Sequence, residues 1–310
     1  MYQYVTSHFN AFLHELQLAD KDRIDALGKA ERIAKSLFAN YYPNLLFNPS
    51  SHLVVGSLGK GTAIRPRTDL DMIFVLPWQE YSRIEALSGN KQSALLQEVK
   101  RVLLGTFPTT GLSADGQVVV ARFQTCDVDV VPAFRFDDGK YLIAHTGEGG
   151  LWRLSNPVAE YNCLKRVDAA SYGKGSDLVR MLKAWKRECS VEMKSVCLEI
   201  AATVFVDQWP HRAKASDTSY HDHMVRDFFA FLLNYVNGSA RPAGIDRWIP
   251  LGDCWQSKCQ SAYNRAVKAC AYEQADDGLN ACLEWQKVFG YQLSATPHYV
   301  SLLTAMTAVR

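Results

Sequence analysis

The chain has 310 residues, of which 48% are hydrophobic and 21% charged, and its formal net charge is +2 at pH 7. This composition is typical of a soluble globular protein with enough apolar residues for one large domain or two packed lobes. The near-neutral charge does not favour a large nonspecific nucleic-acid surface, although it leaves room for local basic clusters. No run of about 18 apolar residues and no signal-like N-terminus is present. We therefore expect a cytoplasmic protein without membrane segments.

Eight cysteines raise the question of a disulfide framework or a zinc site. No two of them have the two-residue spacing of a zinc knuckle, and a reducing compartment disfavours disulfides. We therefore expect free thiols with structural or incidental roles. They lie at positions 126, 163, 189, 197, 254, 259, 270 and 282.

The first 50 residues have the apolar spacing of helices. Ile24, Leu27, Ile33 and Leu37 recur at helical intervals, with charged residues on the other faces, and Pro43 ends the pattern. This spacing predicts a long N-terminal helix.

Short apolar segments then alternate with turn residues and indicate a mixed α/β region. Segments 53–55 and 72–76 are short enough to be buried strands, and helical spacing returns over about 80–105. Further strands are predicted at 117–123 and 127–131, with a hairpin turn at 137–140 that leads into a strand at 141–143.

From about Pro157 onward the pattern is almost wholly helical. Residues 238–253, with three glycines and two prolines, form an irregular connection. The sequence therefore predicts an α+β protein with a mixed-sheet lobe over 1–155 and a helical lobe over 156–310. Helices are predicted in the second lobe at 175–189, 194–209, 217–236, 257–274 and 278–289.

The stretch from Gly56 to Asp71 contains the residues of greatest chemical interest. Asp69 and Asp71 leave the same face of the predicted strand, whereas Leu70 and Met72 point into the core. Two like charges on one face repel each other unless a counter-charge is present. Carboxylates about 7 Å apart along a strand can share a hard divalent cation, because Mg²⁺ prefers carboxylate and phosphate oxygens. A bound metal therefore explains the pattern.

A third carboxylate is available on the predicted strand at 127–131. Asp127 and Asp129 alternate there and share one face. Three carboxylates around two metal ions about 4 Å apart would polarise an attacking hydroxyl and stabilise a leaving pyrophosphate.

Gly56 and Ser57 supply the features of a phosphate site. Glycine lets the backbone approach a phosphate closely, and the serine hydroxyl and nearby amides can bind its oxygens. The segment is not a Walker A loop, which has four residues between its first glycine and Gly-Lys-Ser/Thr. Only two residues separate Gly56 from Gly59, and Lys60 is followed by Gly61.

The spacing of these motifs resembles that of a known superfamily. Gly-Ser, eleven residues, Asp-x-Asp and an aspartate on a later strand resemble the DNA polymerase β-type nucleotidyltransferases. Within them, segment 56–71 is similar to oligoadenylate synthases and to the bacterial cGAS/DncV-like nucleotidyltransferases (CD-NTases). Segments 129–134 and 182–186 are similar to the same group, and this match selects Asp129 over Asp127.

The resemblance implies a bilobal polymerase-β-like fold with the active site in the cleft between the lobes. Residues 1–155 would form the catalytic core with the N-terminal helix, and 156–310 would complete the nucleotide-binding cleft. The implied cofactor is Mg²⁺, with Mn²⁺ as a substitute. The implied catalytic and metal-binding residues are Asp69, Asp71 and Asp129, and the implied nucleotide-binding residues are Gly56, Ser57, Lys183 and Ser195.

Some positions depart from the family pattern or leave alternatives open. Val196 stands where the family often has an aromatic residue that stacks on the donor base, so the donor preference stays open. Ser195 has a second interpretation as a helix N-cap. Arg65 and Arg67 are candidates for contacts with acceptor nucleotide or phosphate, with exposed turn charges as the alternative. No inserted His/Cys zinc module is present, so a nucleic-acid activator is not supported.

The resemblance implies an enzyme that condenses nucleoside triphosphates into a cyclic di- or trinucleotide second messenger and releases pyrophosphate, in bacterial antiphage signalling. ATP is the first substrate candidate and GTP the second, with regulatory proteins of a defence operon as expected partners. A linear oligoadenylate synthase or RNA terminal nucleotidyltransferase is the enzymatic alternative. A catalytically silent nucleotide-binding module is the non-enzymatic one.

Two further side-chain groups favour structural interpretations. His221, Asp222 and His223 are adjacent, and neighbouring positions on a helix point in different directions. We therefore expect surface histidines there rather than a metal site. Four tryptophans are expected to pack in the core or between the lobes, namely Trp185, Trp209, Trp248 and Trp285.

Overall fold

The computed structural model describes residues 3–66, 69–214 and 219–293. These residues divide into two compact units. The mixed unit contains 18–161 and 243–245, and the helical unit contains the described residues of 1–17, 162–242 and 246–310. The first helix therefore belongs to the helical unit, whereas the predicted division placed it with 1–155. The functional division of the chain into a catalytic core over 1–155 and a helical lobe over 156–310 stays a prediction.

The secondary structure alternates in the mixed unit and is almost wholly helical afterwards. A 3-10 turn at Pro49–Ser51 precedes the first strand. In chain order the elements are α1 (Gln3–Leu16), α2 (Asp20–Tyr41), β1 (His52–Val55), α3 (Gly56–Lys60), β2 (Leu70–Val75), α4 (Trp78–Glu85), α5 (Lys91–Thr106), β3 (Gly111–Asp115), β4 (Val118–Arg122), β5 (Asp127–Arg135), β6 (Tyr141–His145), β7 (Leu151–Ser155), α6 (Pro157–Ser171), α7 (Lys174–Glu188), α8 (Ser195–Gln208), α9 (His221–Leu233), β8 (Ser239–Ala240), β9 (Ile249–Pro250), α10 (Gln256–Gln274) and α11 (Gly278–Phe289).

The predicted N-terminal helix is divided into α1 and α2. The backbone at Ala19 is extended (φ −66°, ψ 144°). Its carbonyl accepts hydrogen bonds from the amides of Asp22 and Arg23, which starts a new helix. Asp20 and Asp22 in the first turn favour this start, because carboxylates stabilise a helix N-terminus. No proline or glycine marks the break, so the apolar spacing alone did not predict it.

One seven-stranded sheet forms the framework of the mixed unit. Its order is β1-β2-β5-β4-β3, and β6 pairs with β5 and with β7. β2 and β5 run parallel, and the other pairs are antiparallel. The nine-residue strand β5 pairs with β4 through its first half and with β6 through its second half. Strands β3 and β7 were not predicted from the sequence.

The two faces of this sheet bury different residues. Even-numbered residues of the two parallel strands, such as Met72 and Val130, lie in the large core together with buried residues of α2 and α5. Odd-numbered residues, such as Ile73 and Ala133, form a smaller cluster on the other face. This alternation follows from the two-residue period of a strand and confirms that Leu70 and Met72 face the core.

Aromatic side chains form much of the core of the helical unit. Phe9 of α1 contacts Trp285 of α11 with ring centroids 5.4 Å apart, and Trp185 of α7 contacts Phe229 of α9 at 4.9 Å. The prediction of packed tryptophans is confirmed for Trp185, Trp209 and Trp285, which are buried. It is wrong for Trp248, which is 59% exposed.

The prediction of surface histidines at the start of α9 is wrong in part. His221 is 1% and Asp222 is 2% exposed, because this helix packs against α1 and α10. His221 Nε2 lies 3.0 Å from an oxygen of Asp177. All eight cysteines are free thiols, as predicted. None of the described helices has the length and apolar character needed to span a bilayer.

Candidate active site

Two of the three predicted catalytic carboxylates lie on neighbouring parallel strands. Asp71 of β2 is the register partner of Asp129 of β5, so both side chains leave the same face of the sheet. Adjacent strands are about 5 Å apart, which places the two carboxylates side by side. Asp69 precedes β2 by one residue and is exposed. Two distant stretches of the chain therefore supply one acidic group of residues.

The electrostatics of Asp129 show that these carboxylates influence one another. The pKa of Asp129 is raised from 3.8 to about 6, first by burial and then by the negative charges of Asp71, Asp69 and Asp127. Arg122 acts in the opposite direction. Burial and like charges both disfavour an ionised carboxylate, and a divalent cation between these groups would reverse the effect.

Asp69, Asp71 and Asp129 supply the kind of ligand that a pair of divalent metal ions requires. Two ions about 4 Å apart, each with oxygens at about 2.1 Å, can bridge ligands up to about 8 Å apart. The donor set is oxygen only, which fits Mg²⁺ or Mn²⁺.

Gly56 lies directly against Asp71. Its φ of +60° is unfavourable for other residues, and a Cβ built there would overlap the Asp71 carboxylate, lying 2.7 Å from its Cγ. Gly56 is predicted from the sequence to let the backbone approach a phosphate closely. The structure adds that glycine at this position makes room for the neighbouring carboxylate.

The turn that contains Ser57 is held by local contacts. The Thr62 amide donates to the Ser57 carbonyl at 2.8 Å, and Gly61 ends α3 with φ +75°. The ammonium of Lys60 lies 3.2 Å from a Glu160 oxygen, and both side chains are largely buried. These contacts fix the short helix α3 between β1 and α6. The role of Glu160 was not predicted, because only the fold brings α6 to this turn.

Two other predicted nucleotide ligands lie on consecutive helices of the helical unit. Lys183 of α7 has its Nζ 3.7 Å from an oxygen of Glu199 of α8. Lys186 donates a hydrogen bond of 3.1 Å to the hydroxyl of Ser195. Ser195 is the first residue of α8, and Lys194 occupies the N-cap. The alternative interpretation of Ser195 as the cap is therefore wrong, and its phosphate role stays a prediction.

The remaining candidates lie in or beside the loop before β2. Arg65 is partly exposed and follows a β-bridge at Ile64. Arg67 lies outside the described residues, and its role stays a prediction. Asp127, the rejected alternative to Asp129, is the register partner of Arg122 on β4.

Comparison with protein families identifies the group to which this sequence belongs. Residues 4–167, more than half of the chain, match the model of the Second Messenger Oligonucleotide or Dinucleotide Synthetase (SMODS) domain. The chain belongs to this family. The resemblance to CD-NTases inferred from the Gly-Ser and Asp-x-Asp motifs is thereby confirmed.

One curated relative of this SMODS protein is the cyclic AMP-AMP-AMP synthase of Acinetobacter sp. The two are 27% identical over 141 residues, which is 45% of this chain and 40% of the relative. The alignment thus spans well under half of the length of that protein.

Solved structures of CD-NTases have the same fold as this SMODS protein. A mutant of the Vibrio cholerae di-nucleotide cyclase DncV matches with a TM-score of 0.70 and 14% identity over 95% of this chain and 96% of that one. Escherichia coli MS115-1 CdnC with ATP matches at 0.65 and 18% identity over 94% and 99%. Bradyrhizobium diazoefficiens CdnG with GTP matches at 0.65 and 12% identity over 93% and 96%. The predicted bilobal polymerase-β-like α+β fold is confirmed.

Proposed function

We propose that this chain condenses nucleoside triphosphates into a cyclic di- or trinucleotide second messenger and releases pyrophosphate. The observation that carries the proposal is the parallel register of β2 and β5, which sets Asp71 beside Asp129 and against Gly56. Membership of the SMODS family supports the reaction class. A role in antiphage signalling and a cytoplasmic location belong to the same proposal.

In the proposed mechanism, some residues of the mixed unit bind the metal ions and others bind the donor phosphates. Asp69, Asp71 and Asp129 would hold the divalent ions, for which we propose Mg²⁺. When bound, the ions neutralise the charge that develops on the attacking and leaving oxygens. Gly56 and Ser57 would bind donor phosphate oxygens through backbone amides and the serine hydroxyl. With help from Asp129 the acceptor hydroxyl loses its proton, and its oxygen bonds to the α-phosphorus as the bond to pyrophosphate breaks. Catalysis is mainly positioning and charge neutralisation.

Relatives indicate the order in which substrates should be tested. The Acinetobacter relative is named a cyclic AMP-AMP-AMP synthase, and CdnC was solved with ATP. CdnG was solved with GTP, and DncV is named a cyclic AMP-GMP synthase. ATP is therefore the first proposed substrate and GTP the second. CdnC was also solved in a complex named for HORMA-deltaN, which supports a regulatory protein partner here.

Product analysis tests the proposed function. The full chain is incubated with each radiolabelled nucleoside triphosphate, alone and mixed, in Mg²⁺ or Mn²⁺, and the products are treated with phosphatase before chromatography. We expect phosphatase-resistant products. A ladder of phosphatase-sensitive products would instead indicate linear synthesis, and the absence of pyrophosphate release would indicate a silent nucleotide-binding module.

Carboxylate variants connect that activity to the site. Asp69→Asn combined with Asp71→Asn is expected to lower pyrophosphate release by at least about 10³-fold, because the metal ligands are lost. Asp115→Asn, which changes an exposed carboxylate on β3 of the same sheet, is the matched control and should retain activity. Unchanged turnover in the double variant would contradict the proposal.

The proposed phosphate role of Lys183 has its own test. Lys183→Ala is expected to raise KM for the donor nucleotide by about 10-fold or more, the effect of losing one charge-assisted hydrogen bond. Lys287→Ala is the matched control, because Lys287 forms a comparable pair with Glu284 at 2.7 Å in the same unit. Equal KM values for the two variants would contradict this role.

A further inference from the structure

A cluster of a carboxylate, an imidazole and a thiol lies in the helical unit where α9 packs against α10. Asp222 and His223 are the first-turn residues of α9, and Cys270 is near the end of α10. One ligand atom from each of these residues lies within 4.8 Å of the other two. We propose that Asp222, His223 and Cys270 bind a zinc ion.

The first support is the buried carboxylate of Asp222, one oxygen of which accepts no hydrogen bond from the described residues. The side chain of Asp222 is 3% exposed, and its Oδ1 has no hydrogen-bond partner within the described ranges of the chain. The Nε2 atom of His223 is also buried and lacks a hydrogen bond there, although it lies 3.6 Å from the other oxygen of Asp222. Buried polar atoms of native proteins are normally paired. A cation between these atoms would satisfy both.

The second support is that charged neighbours are engaged in contacts of their own. Arg226 acts electrostatically on Asp222 and Cys270, but its guanidinium donates to Asp227 at 2.8 Å. His221 turns to Asp177 at 3.0 Å. Glu273, which is also buried nearby, pairs with His8 at 3.7 Å. Arg226, His221 and Glu273 therefore leave the Oδ1 atom of Asp222 without a hydrogen-bond donor from their side chains.

The donor set selects the metal. Thiolate sulfur, imidazole nitrogen and carboxylate oxygen together are typical of Zn²⁺, whereas Mg²⁺ and Ca²⁺ prefer oxygen ligands alone. Three protein ligands leave one tetrahedral position for water, and the His223 side chain is 25% exposed. Ligand atoms around zinc lie about 3.3 to 3.8 Å apart, so the three atoms need to converge by about 1 Å.

Binding couples to the protonation of Cys270. Burial raises the pKa of this thiol, so it is protonated in the metal-free protein at neutral pH. Zinc binding forms the metal–sulfur bond and releases the thiol proton to solvent. The ion would then join the start of α9 to α10.

Sequence spacing could not reveal this site. Asp222 and His223 are neighbours in the sequence, and their ligand atoms lie within 4.8 Å of each other, whereas His221 contacts Asp177 and takes no part. The third ligand comes from a different helix, 47 positions after His223, so no knuckle spacing exists to recognise.

Metal substitution tests the inference on the full chain. The protein is stripped with a chelator, and Zn²⁺ or Co²⁺ is added back, with binding followed by elemental analysis and by the thiolate-to-cobalt charge-transfer absorption. We expect about one ion per chain with a thiolate band, and a rise in Tm on adding Zn²⁺. The Asp69→Asn, Asp71→Asn double variant, although inactive, should show the same thiolate band and the same rise in Tm with Zn²⁺, which separates this site from the acidic site of the mixed unit.

Ligand variants identify the residues. Cys270→Ser should abolish the thiolate band, and His223→Ala should weaken Zn²⁺ binding by at least about 10-fold. His223→Ala serves as the second variant because this partly exposed side chain can be removed with little loss of packing. Cys259→Ser is the matched control, since Cys259 is buried on the same helix and its thiol donates to the Phe229 carbonyl. The inference is overturned if the wild type shows no thiolate band or if the control and Cys270→Ser bind cobalt alike.

Discussion

At the scale of single residues, repulsion among the carboxylates of the acidic site lowers the stability of the folded protein. Asp71 and Asp129 are register partners, and Asp69 and Asp127 add further negative charge to the field at Asp129. Packing like charges at partly buried positions disfavours folding of the metal-free protein. Such a cost is typical of residues retained for function.

This cost predicts an unusual stability change for Asp129→Asn. In the folded protein the pKa of Asp129 rises from 3.8 to about 6. Protonation of this carboxyl therefore stabilises the folded state fully below about pH 4, and this stabilisation is lost as the pH rises through about 6. Without metal at pH 7, the variant should be more stable than the wild type by about 1 kcal/mol after screening by solvent, and it should be inactive. Chemical denaturation in chelator at pH 4.5 and pH 7 measures the difference, with Asp115→Asn as control. Equal stability of variant and wild type at pH 7 would contradict this assignment.

The contact between Gly56 and Asp71 gives a second prediction at this scale. Gly56→Ala places a methyl group on the Asp71 carboxylate and should lower turnover by about 10²-fold or more, because a displaced metal ligand misplaces the reacting groups. Gly116→Ala is the matched control, since Gly116 has nearly the same φ of +62° but open space around it. Both variants should lose about 1–2 kcal/mol through backbone strain. Steady-state kinetics and thermal unfolding distinguish strain from displacement, and equal turnover of the two variants would count against the contact.

At the scale of elements, α2 illustrates how one helix supports the sheet. Its buried residues recur at intervals of three and four and lie in the same core as β2 and β5. Of the four apolar residues that form the pattern, Ile33 and Leu37 are buried, whereas Ile24 is 69% and Leu27 is 37% exposed. The apolar spacing predicted the helix, but it did not predict which of its apolar residues are buried.

This difference within one helix predicts two distinct stability effects. Ile33→Ala should destabilise the protein by about 2–4 kcal/mol, because the substitution removes fully buried methyl groups and leaves a cavity. Ile24→Ala should change the free energy of unfolding by less than about 0.5 kcal/mol. Urea denaturation of both variants provides the measurement, and similar losses would show that the exposed end of α2 is covered in solution.

At the scale of the whole molecule, the net charge of +2 bears on how activity is controlled. A chain that tracked a long nucleic acid would need many cationic contacts with phosphates, whereas small nucleotides need only a few. The sequence also has no inserted His/Cys module of the type found in the animal DNA-sensing relative.

We therefore expect nucleotide condensation to be independent of nucleic acid. Treatment of the purified protein with nuclease, or addition of duplex DNA or RNA, should change the rate of pyrophosphate release by less than about twofold. The assays are run at low and at moderate salt, because salt could screen a weak electrostatic interaction between the protein and the nucleic acid. Strong stimulation by either duplex would contradict the expectation.

The sequence by itself determined the local features of this protein. Strand alternation placed Leu70 and Met72 in the core and left Asp69 and Asp71 on the other face. Helical spacing predicted most of the helices, because both periodicities depend only on neighbouring residues. The family resemblance selected Asp129 and implied the fold that the solved CD-NTase structures confirm.

The tertiary structure decided which distant segments meet. Parallel pairing of β2 with β5 sets Asp71 beside Asp129, and the turn after β1 brings Gly56 against Asp71. Packing of α9 against α10 buries Asp222 beside Cys270, where the sequence indicated a surface. Local periodicity contains no information on the partner of a strand or helix. Contacts between residues far apart in the chain are selected by the combined burial of many side chains, and only the folded chain reveals them.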